Sequence, residues 1–283
     1  MISFKPVRYI FLTITFYLLQ HQLFAQDIVS SNNLAEQYMH DAKYADAIKL
    51  YKRIAYFDST ASYTKSIFKK MGDCYFELNK FEEAAECYDV SFFSQNDSIL
   101  KNECIILKSK CLLSLSRYMD GLAELENMSY HLNDSQLNQK IFYKAVFFYF
   151  KGMLDSAENN FSLLTPDSNN KKTLHLMLLK VKEIEKISPK KAKIMSKIIP
   201  GSGQLYAHDY KNAINSFVLT LGLGTLYAVT AYNYTVLDAF LSVYPWFHRY
   251  YIGGANKAFI ITQKRKDNLK KQSLFQIVQL IKL

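Results

Sequence analysis

Lys70-Met71-Gly72-Asp73-Cys74-Tyr75 and, six residues on, Phe81-Glu82-Glu83-Ala84-Ala85-Glu86-Cys87-Tyr88 decide how this chain folds. Gly72 and Tyr75 share one face of a helix. Phe81, Ala84, Tyr88 and Ser91 fall at steps of three and four and describe a second helix, with Asn79-Lys80 where the pair must turn. The small residues Gly72 and Ala84 let the two helices approach closely, and the aromatic side chains fill the space around them.

The same six marks recur on both sides. Upstream stand Ala35, Tyr38, Tyr44, Ala47, Tyr51 and Ile54. Downstream come Ser109, Leu112, Tyr118, Gly121, Leu125 and Met128, then Ala145, Phe148, Leu154, Ala157, Phe161 and Leu164. The first marks, at 35, 72, 109 and 145, set a period of 36 or 37 residues. A helix pair repeated at such a period buries its apolar face only by stacking on its neighbours. Leu174, Met177, Leu178, Val181 and Ile184 add one amphipathic helix that caps the array, and Ser188-Pro189 ends it.

This pattern resembles the tetratricopeptide repeat, which pairs a small residue, an aromatic three later, and a second small residue in the following helix. The period here is slightly above the family's ~34 residues, and no copy carries the family's Trp. The resemblance implies a scaffold without chemistry of its own that holds partners in a concave groove lined by first helices. Carried onto this chain, the groove would use Lys69, Asp73, Phe76 and Glu77 in the second copy and Lys110 and Leu113 in the third. In the fourth it would use Phe142, Tyr149 and Phe150. Mixed charge at one end and aromatics at the other suit a peptide or helix with an apolar anchor. The aromatic run Phe142, Phe147, Phe148, Tyr149 and Phe150 has a second reading, as side chains buried against the next helix.

Residues 1–26 read as an address. Lys5 and Arg8 precede the apolar run Tyr9–Leu19, and Ala25 offers a cleavage point before Gln26. Cleaved signal peptide or retained anchor, either reading exports the residues beyond Gln26.

The segment from 188 onward differs in kind. Lys190-Lys191-Ala192-Lys193 opens a basic linker, and Ala213–Tyr232 runs 20 residues without a charge, about the 30 Å of a bilayer core at 1.5 Å per residue. Ser216, Thr220, Gly224 and Ala228 form a ridge of small residues suited to close packing between membrane helices. Tyr234–Tyr251 is a second apolar stretch, interrupted by Asp238, His248 and Arg249. A pair of membrane helices is the expectation; a buried helix of a soluble domain is its competitor. Asp238, His248 and Arg249 are read either as an intramembrane functional set or as groups solvated at headgroup level.

Ile199-Pro200-Gly201-Ser202-Gly203-Gln204-Leu205-Tyr206, with the apolar pair behind it, resembles a small bacterial membrane domain of paired transmembrane helices. That resemblance implies that Pro200, Gly201, Gly203, Gln204 and Tyr206 mark where the chain enters the membrane. The family's Gly after that Tyr is replaced here by Ala207-His208-Asp209. Beyond Gly253-Gly254, Leu274, Ile277, Val278 and Ile281 define a basic amphipathic helix that either lies on an anionic membrane surface or packs on the repeats.

Catalytic and ligand motifs are absent from the pattern. Gly201-Ser202-Gly203 lacks the Gly-Lys-Ser/Thr of a nucleotide loop, and the six His residues stand at no metal-ligand spacing. Four Cys without a C-x-x-C are read as buried thiols, or as a Cys74–Cys87 staple if the exported chain is oxidised. The net charge of +10 is unevenly spread. Residues 27–170 hold 15 basic and 20 acidic side chains, whereas 171–283 hold 18 and 5. A basic apolar tail favours a membrane surface over nucleic acid.

The expectation is therefore an all-α protein: a tetratricopeptide-like solenoid followed by a membrane-associated helical hairpin. Its parts are a signal peptide at 1–26, repeats at 27–187, a linker and hairpin at 188–254, and a C-terminal helix at 255–283. It is expected to be no enzyme, with no cofactor, no metal, no nucleic acid and no small-molecule substrate. Its expected partners are another envelope protein or peptide and membrane lipid, with the repeats on the non-cytoplasmic side of the bacterial cell envelope. The alternative is an accessory factor for membrane assembly, insertion or transport that acts through the hairpin.

Overall fold

The computed structural model describes residues 28–58, 63–129 and 131–281. The expected signal segment, 1–26, lies outside the described residues. Every regular element among them is a helix. The chain divides between Lys151 and Gly152 into two compact units, inside the fourth copy of the pattern.

The first unit pairs α1 (Ile28–His40) with α2 (Tyr44–Phe57), α3 (Thr64–Glu77) with α4 (Phe81–Ser94), and α5 (Ser98–Ser114) with α6 (Tyr118–Glu126). It ends in α7 (Asp134–Lys151). The small marks are where the helices touch. Ala35, Ala47, Ala84, Ser109 and Ala145 are all fully buried. A Cβ on Gly72 would come within 2.6 Å of the Tyr88 ring, and one on Gly121 would overlap the Phe147 ring. Glycine thus admits an aromatic ring where any side chain would push the helices apart. Ile67, Cys74 and Tyr88 join Tyr51 and Ile54 in one core, and Ile105, Leu122, Leu125 and Phe147 form a second.

The turn inside each helix pair is built the same way. Ala42, Asn79, Ser116 and Gly152 all have positive φ, at 57, 57, 59 and 85°. They lie seven residues after each copy's first small mark. In the first three turns the amide of this residue and the next one close back onto the preceding helix. In the second copy these bonds run from Asn79 N–H to the Phe76 carbonyl and from Lys80 N–H to the Tyr75 carbonyl, both 2.9 Å. These are the hydrogen bonds that end a helix with a left-handed residue. Side-chain caps begin other helices: the Asp97 carboxylate accepts from Ile99 N–H at 2.9 Å to start α5.

All four cysteines are buried and free, so the Cys74–Cys87 staple is not formed. Burial pushes the thiols of Cys74 and Cys87 up to about 11 and that of Cys111 up to about 12. Cys104, raised for the same reason, donates to Ser91 Oγ at 3.4 Å.

The second unit begins with α8 (Leu154–Leu163) and α9 (Ser168–Glu185), the expected cap, which buries Leu174, Leu178 and Val181. There follow α10 (Pro189–Ile198), the short α11 (Ser202–Tyr206), α12 (Tyr210–Asn233), α13 (Val236–Ser242) and the 38-residue α14 (Tyr244–Ile281). The expected separate helix at 255–283 is instead the C-terminal part of α14. Gly253-Gly254 does not interrupt it, because both residues keep helical backbone and Gly254 is packed against α12. The lower part of α14 packs on α9 and α10 and buries Ile277 and Ile281, so its apolar face is covered within the unit.

Burial pushes the Glu185 carboxyl up, but hydrogen bonds from Lys266 and Lys270 outweigh it and hold the group below its ordinary value. Lys266 Nζ stands 2.7 Å from Glu185 Oε2, and the buried Lys270 ammonium contacts Oε1. Two of the tail's cations are thus engaged inside the fold.

Two measurements check this architecture. Ser116 in the left-handed region costs about 1–2 kcal/mol, against about 0.4–1 kcal/mol for the extra freedom of an unfolded glycine. Ser116→Gly is therefore expected to stabilise the chain by about 0.5 kcal/mol in denaturant unfolding. With thiols near 11–12, roughly one Cys in ten thousand is thiolate at neutral pH. A thiol reagent is expected to label no cysteine in the native protein and all four after denaturation.

Candidate functional site

The first unit carries a cavity of about 350 Å³, lined by Met39, Tyr44, Asp73, Phe76, Glu77, Tyr88, Leu107 and Lys110. The first helices α1, α3 and α5 supply most of that wall. Four residues expected in the groove, Asp73, Phe76, Glu77 and Lys110, come together here. Phe76 is half-buried and meets Phe81 edge to face at 5.3 Å. Glu77 is exposed at the rim. Neither Glu77 nor Lys110 forms an ion pair among the described residues. This leaves one acidic and one basic group beside an aromatic wall.

Asp73 has a structural duty as well. The Tyr88 hydroxyl, deep in the core, donates to Asp73 Oδ1 at 2.8 Å. Burial and the neighbouring Asp73 carboxylate both push the Tyr88 phenol far above its ordinary value, so it stays a donor.

The other expected groove residues stand elsewhere. Lys69 Nζ pairs with Glu103 at 2.8 Å across α3 and α5. Burial alone would lower the Lys69 ammonium, but that hydrogen bond and the Glu103 charge raise it on balance. Leu113 packs against the second core. Tyr149 is fully buried, meeting Phe150 edge to face at 5.4 Å, and presents no surface to a partner. Phe147 is buried over Gly121, so the burial reading holds for these two aromatics. Met39, Tyr44, Tyr88 and Leu107 are cavity residues absent from the expected set. A periodic signal for Met39 existed: Met39, Phe76 and Leu113 each follow the first small mark by four.

Neighbouring helices are joined by side chains that straddle them. Lys70 reaches Glu36 at 2.5 Å, and Lys108 stands 2.7 Å from both Asp89 and Glu124. The Lys70 hydrogen bond holds the Glu36 carboxyl below its ordinary value despite partial burial. These pairs set helix register more than they add stability, since partly exposed ion pairs contribute little.

In the second unit, Pro200 and Gly201 occupy the two central positions of a turn closed by Ser202 N–H to the Ile199 carbonyl at 3.1 Å. Gly201, with φ 88° and ψ −19°, takes the left-handed position of a type II turn, and its missing Cβ admits the Ala213 carbonyl. Gly203 lies against the Ala192 carbonyl, where no side chain fits. Its N–H donates to Ser196 Oγ at 2.9 Å. Gln204 is fully buried: its Oε1 accepts from Ser196 Oγ and its Nε2 donates to the Gly254 carbonyl, both 2.8 Å. The Tyr206 hydroxyl accepts from Ser188 N–H at 3.3 Å, and its carbonyl accepts from Arg265 at 3.4 Å. The five motif residues thus form a packing knot joining α10, α11, α12 and α14. His208, at φ 56°, supplies a left-handed turn after Tyr206.

Helix α12 is long and apolar enough to cross a membrane, and 11% of its most apolar stretch is buried. Ile214, Val218, Leu221, Leu226 and Val229 face outward, as do Val236, Leu237 and Leu241 of α13 and Trp246 of α14. The core helix of a soluble domain would hide these side chains. Ser216 and Gly224 of the small ridge meet Gly254 and Phe247 of α14, and Thr220 is buried, while Ala228 is exposed. Asp238, His248 and Arg249 do not form a set. Asp238 is engaged by the Thr235 cap at 2.7 Å, and His248 lies against Tyr244 at 5.8 Å.

Residues 40–128 match the sequence family described as anaphase-promoting complex, cyclosome, subunit 3, a tetratricopeptide-like repeat family. No curated protein and no solved structure matches the chain. The match and the helix pairs agree over residues 40–128: this stretch is similar to tetratricopeptide-type repeats, a class that generally serves protein–protein interaction.

Removing the Tyr88 hydroxyl tests the coupling of core and groove. A hydrogen bond to a charged group contributes about 1.5–3 kcal/mol. Tyr88→Phe is expected to lower stability by about 1.5 kcal/mol in urea unfolding, with helical circular dichroism unchanged.

Proposed function

We propose that this protein is a membrane-attached scaffold of the bacterial cell envelope, exported by its N-terminal segment and held by the α12–α14 hairpin. Its repeats bind another envelope protein or peptide on the non-cytoplasmic side. The observation that carries this reading is the cavity that Phe76, Glu77 and Lys110 line together, the last two forming no ion pair among the described residues. Such a site suits a segment with one apolar anchor flanked by a basic and an acidic residue. Lys69 and Asp73, though expected in the same groove, hold the fold together and are poor places to test it.

The exposed apolar surface of α12 and α13 supports the membrane part of the reading, since so large a patch on a soluble chain is an aggregation hazard. The cations of α10, Lys190, Lys193 and Lys197, stand beside exposed Ile194 and Ile198. That composition suits the headgroup region of an anionic leaflet.

The test is crosslinking capture from envelope membranes with the full chain. Phe76→Ala combined with Lys110→Glu is expected to reduce the captured partner at least about tenfold, the size of a hot-spot loss. Membrane fractionation of the chain stays unchanged. Undiminished capture by this variant would sink the groove reading and leave the hairpin as the acting part.

A further inference from the structure

Between α12 and α14 lies a cleft of about 340 Å³. Asn212, Asn215 and Ser216 line it from α12, and Arg249, Tyr250 and Lys257 from α14, with Gln204 reaching in from α11. Both ionisable groups in this wall that carry charge at neutral pH are cationic, and no carboxylate lines it. Arg249 makes no hydrogen bond or ion pair among the described residues. Lys257 acts at longer range on Asp209, whose carboxylate is already engaged by the Asn212 side chain at 2.7 Å and the Asn212 N–H at 3.1 Å. Between the two cations the wall is Gly253 and Gly254, and nothing lies within 4 Å of where a Gly253 Cβ would stand. The wall is therefore open at Gly253, while Gly254 is covered by Ser216.

Arg249 and Lys257 are both exposed, beside exposed Val218, Leu221 and Trp246 of the same two helices. In the membrane attachment proposed above, a guanidinium among such groups is poorly hydrated unless an anion meets it. A tetrahedral oxyanion answers each feature. Its oxygens accept two parallel N–H bonds from the Arg249 fork, a charge from Lys257, and further donors from the Asn215 amide and Ser216 hydroxyl. A carboxylate has too few oxygens to engage both cations and these neutral donors.

We propose that this cleft binds a phosphate group, carried either by a phospholipid headgroup or by a free phosphate compound. The lipid form rests on the membrane attachment proposed above; the phosphate chemistry does not.

The test uses the full chain in detergent, titrated calorimetrically with short-chain phosphatidylglycerol and, separately, with inorganic phosphate. Saturable binding of one equivalent is expected. Arg249→Gln combined with Lys257→Gln is expected to weaken it at least about tenfold, since two charge-assisted contacts are lost. Lys271→Gln, on the same helix but outside the cleft, leaves it unchanged. Binding of the lipid alone assigns the source to the bilayer, and competition by inorganic phosphate assigns it to a soluble compound. No saturable binding of either probe, or equal binding by the double variant, overturns the proposal. Flotation with phosphatidylcholine vesicles reads membrane attachment independently. A chain that fails to float loses the attachment and the lipid source together, while the inorganic phosphate titration still decides the cleft.

Discussion

Close approach of helix backbones at positions without bulk is the constraint on which both units depend. In the repeats a Tyr88 or Phe147 ring occupies the space a Cβ would claim on Gly72 or Gly121. In the second unit the Ala213 carbonyl sits over Gly201, and Ser216 sits over Gly254, where a Cβ would come within 2.6 Å of Oγ. At such separations dispersion attraction is collected along the whole contact, and the gain vanishes if one methyl group holds the helices apart. The aromatic residues then serve as fill of fixed shape, and the hydrogen bonds of Tyr88 and Gln204 satisfy polar atoms that this packing has removed from water.

This constraint also sets how much of the fold is legible in the sequence. Small residues at fixed offsets are visible in any one copy, and their recurrence reveals the helix pairs and the turn between Asn79 and Lys80. The groove is legible in part. The offset rule picks out Asp73, Phe76, Glu77 and Lys110, which line one cavity, because a helix face is periodic. It does not separate Tyr149 from the groove, because an aromatic residue at a first-helix position serves equally as core. Nor does it show that Lys69 pairs with Glu103, a partner 34 residues away whose proximity exists only once α3 and α5 are stacked.

The second unit is harder to read for a different reason. Apolar stretches and Gly pairs suggest breaks, yet α14 runs unbroken from Tyr244 to Ile281. Gly253-Gly254 is kept helical by its neighbours, which local propensity does not register. Likewise the turn after Tyr206 is made without Gly: His208 accepts a left-handed backbone that the Asp209 and His208 amides lock with bonds of 2.9 and 2.8 Å. The +10 charge is also less available than its sum implies, with Lys266 and Lys270 directed at Glu185.

The length of α14 has a mechanical consequence. Its 38 residues span about 57 Å at 1.5 Å per residue, with apolar α12 against its first turns and α9 against its last. The one place where such a rod would flex is its Gly pair, and the Gln204 amide clamps that point through the Gly254 carbonyl. The helix is therefore held at three levels along its length: against α12 near its start, by Gln204 at its Gly pair, and by Glu185 through Lys266 and Lys270 toward its end.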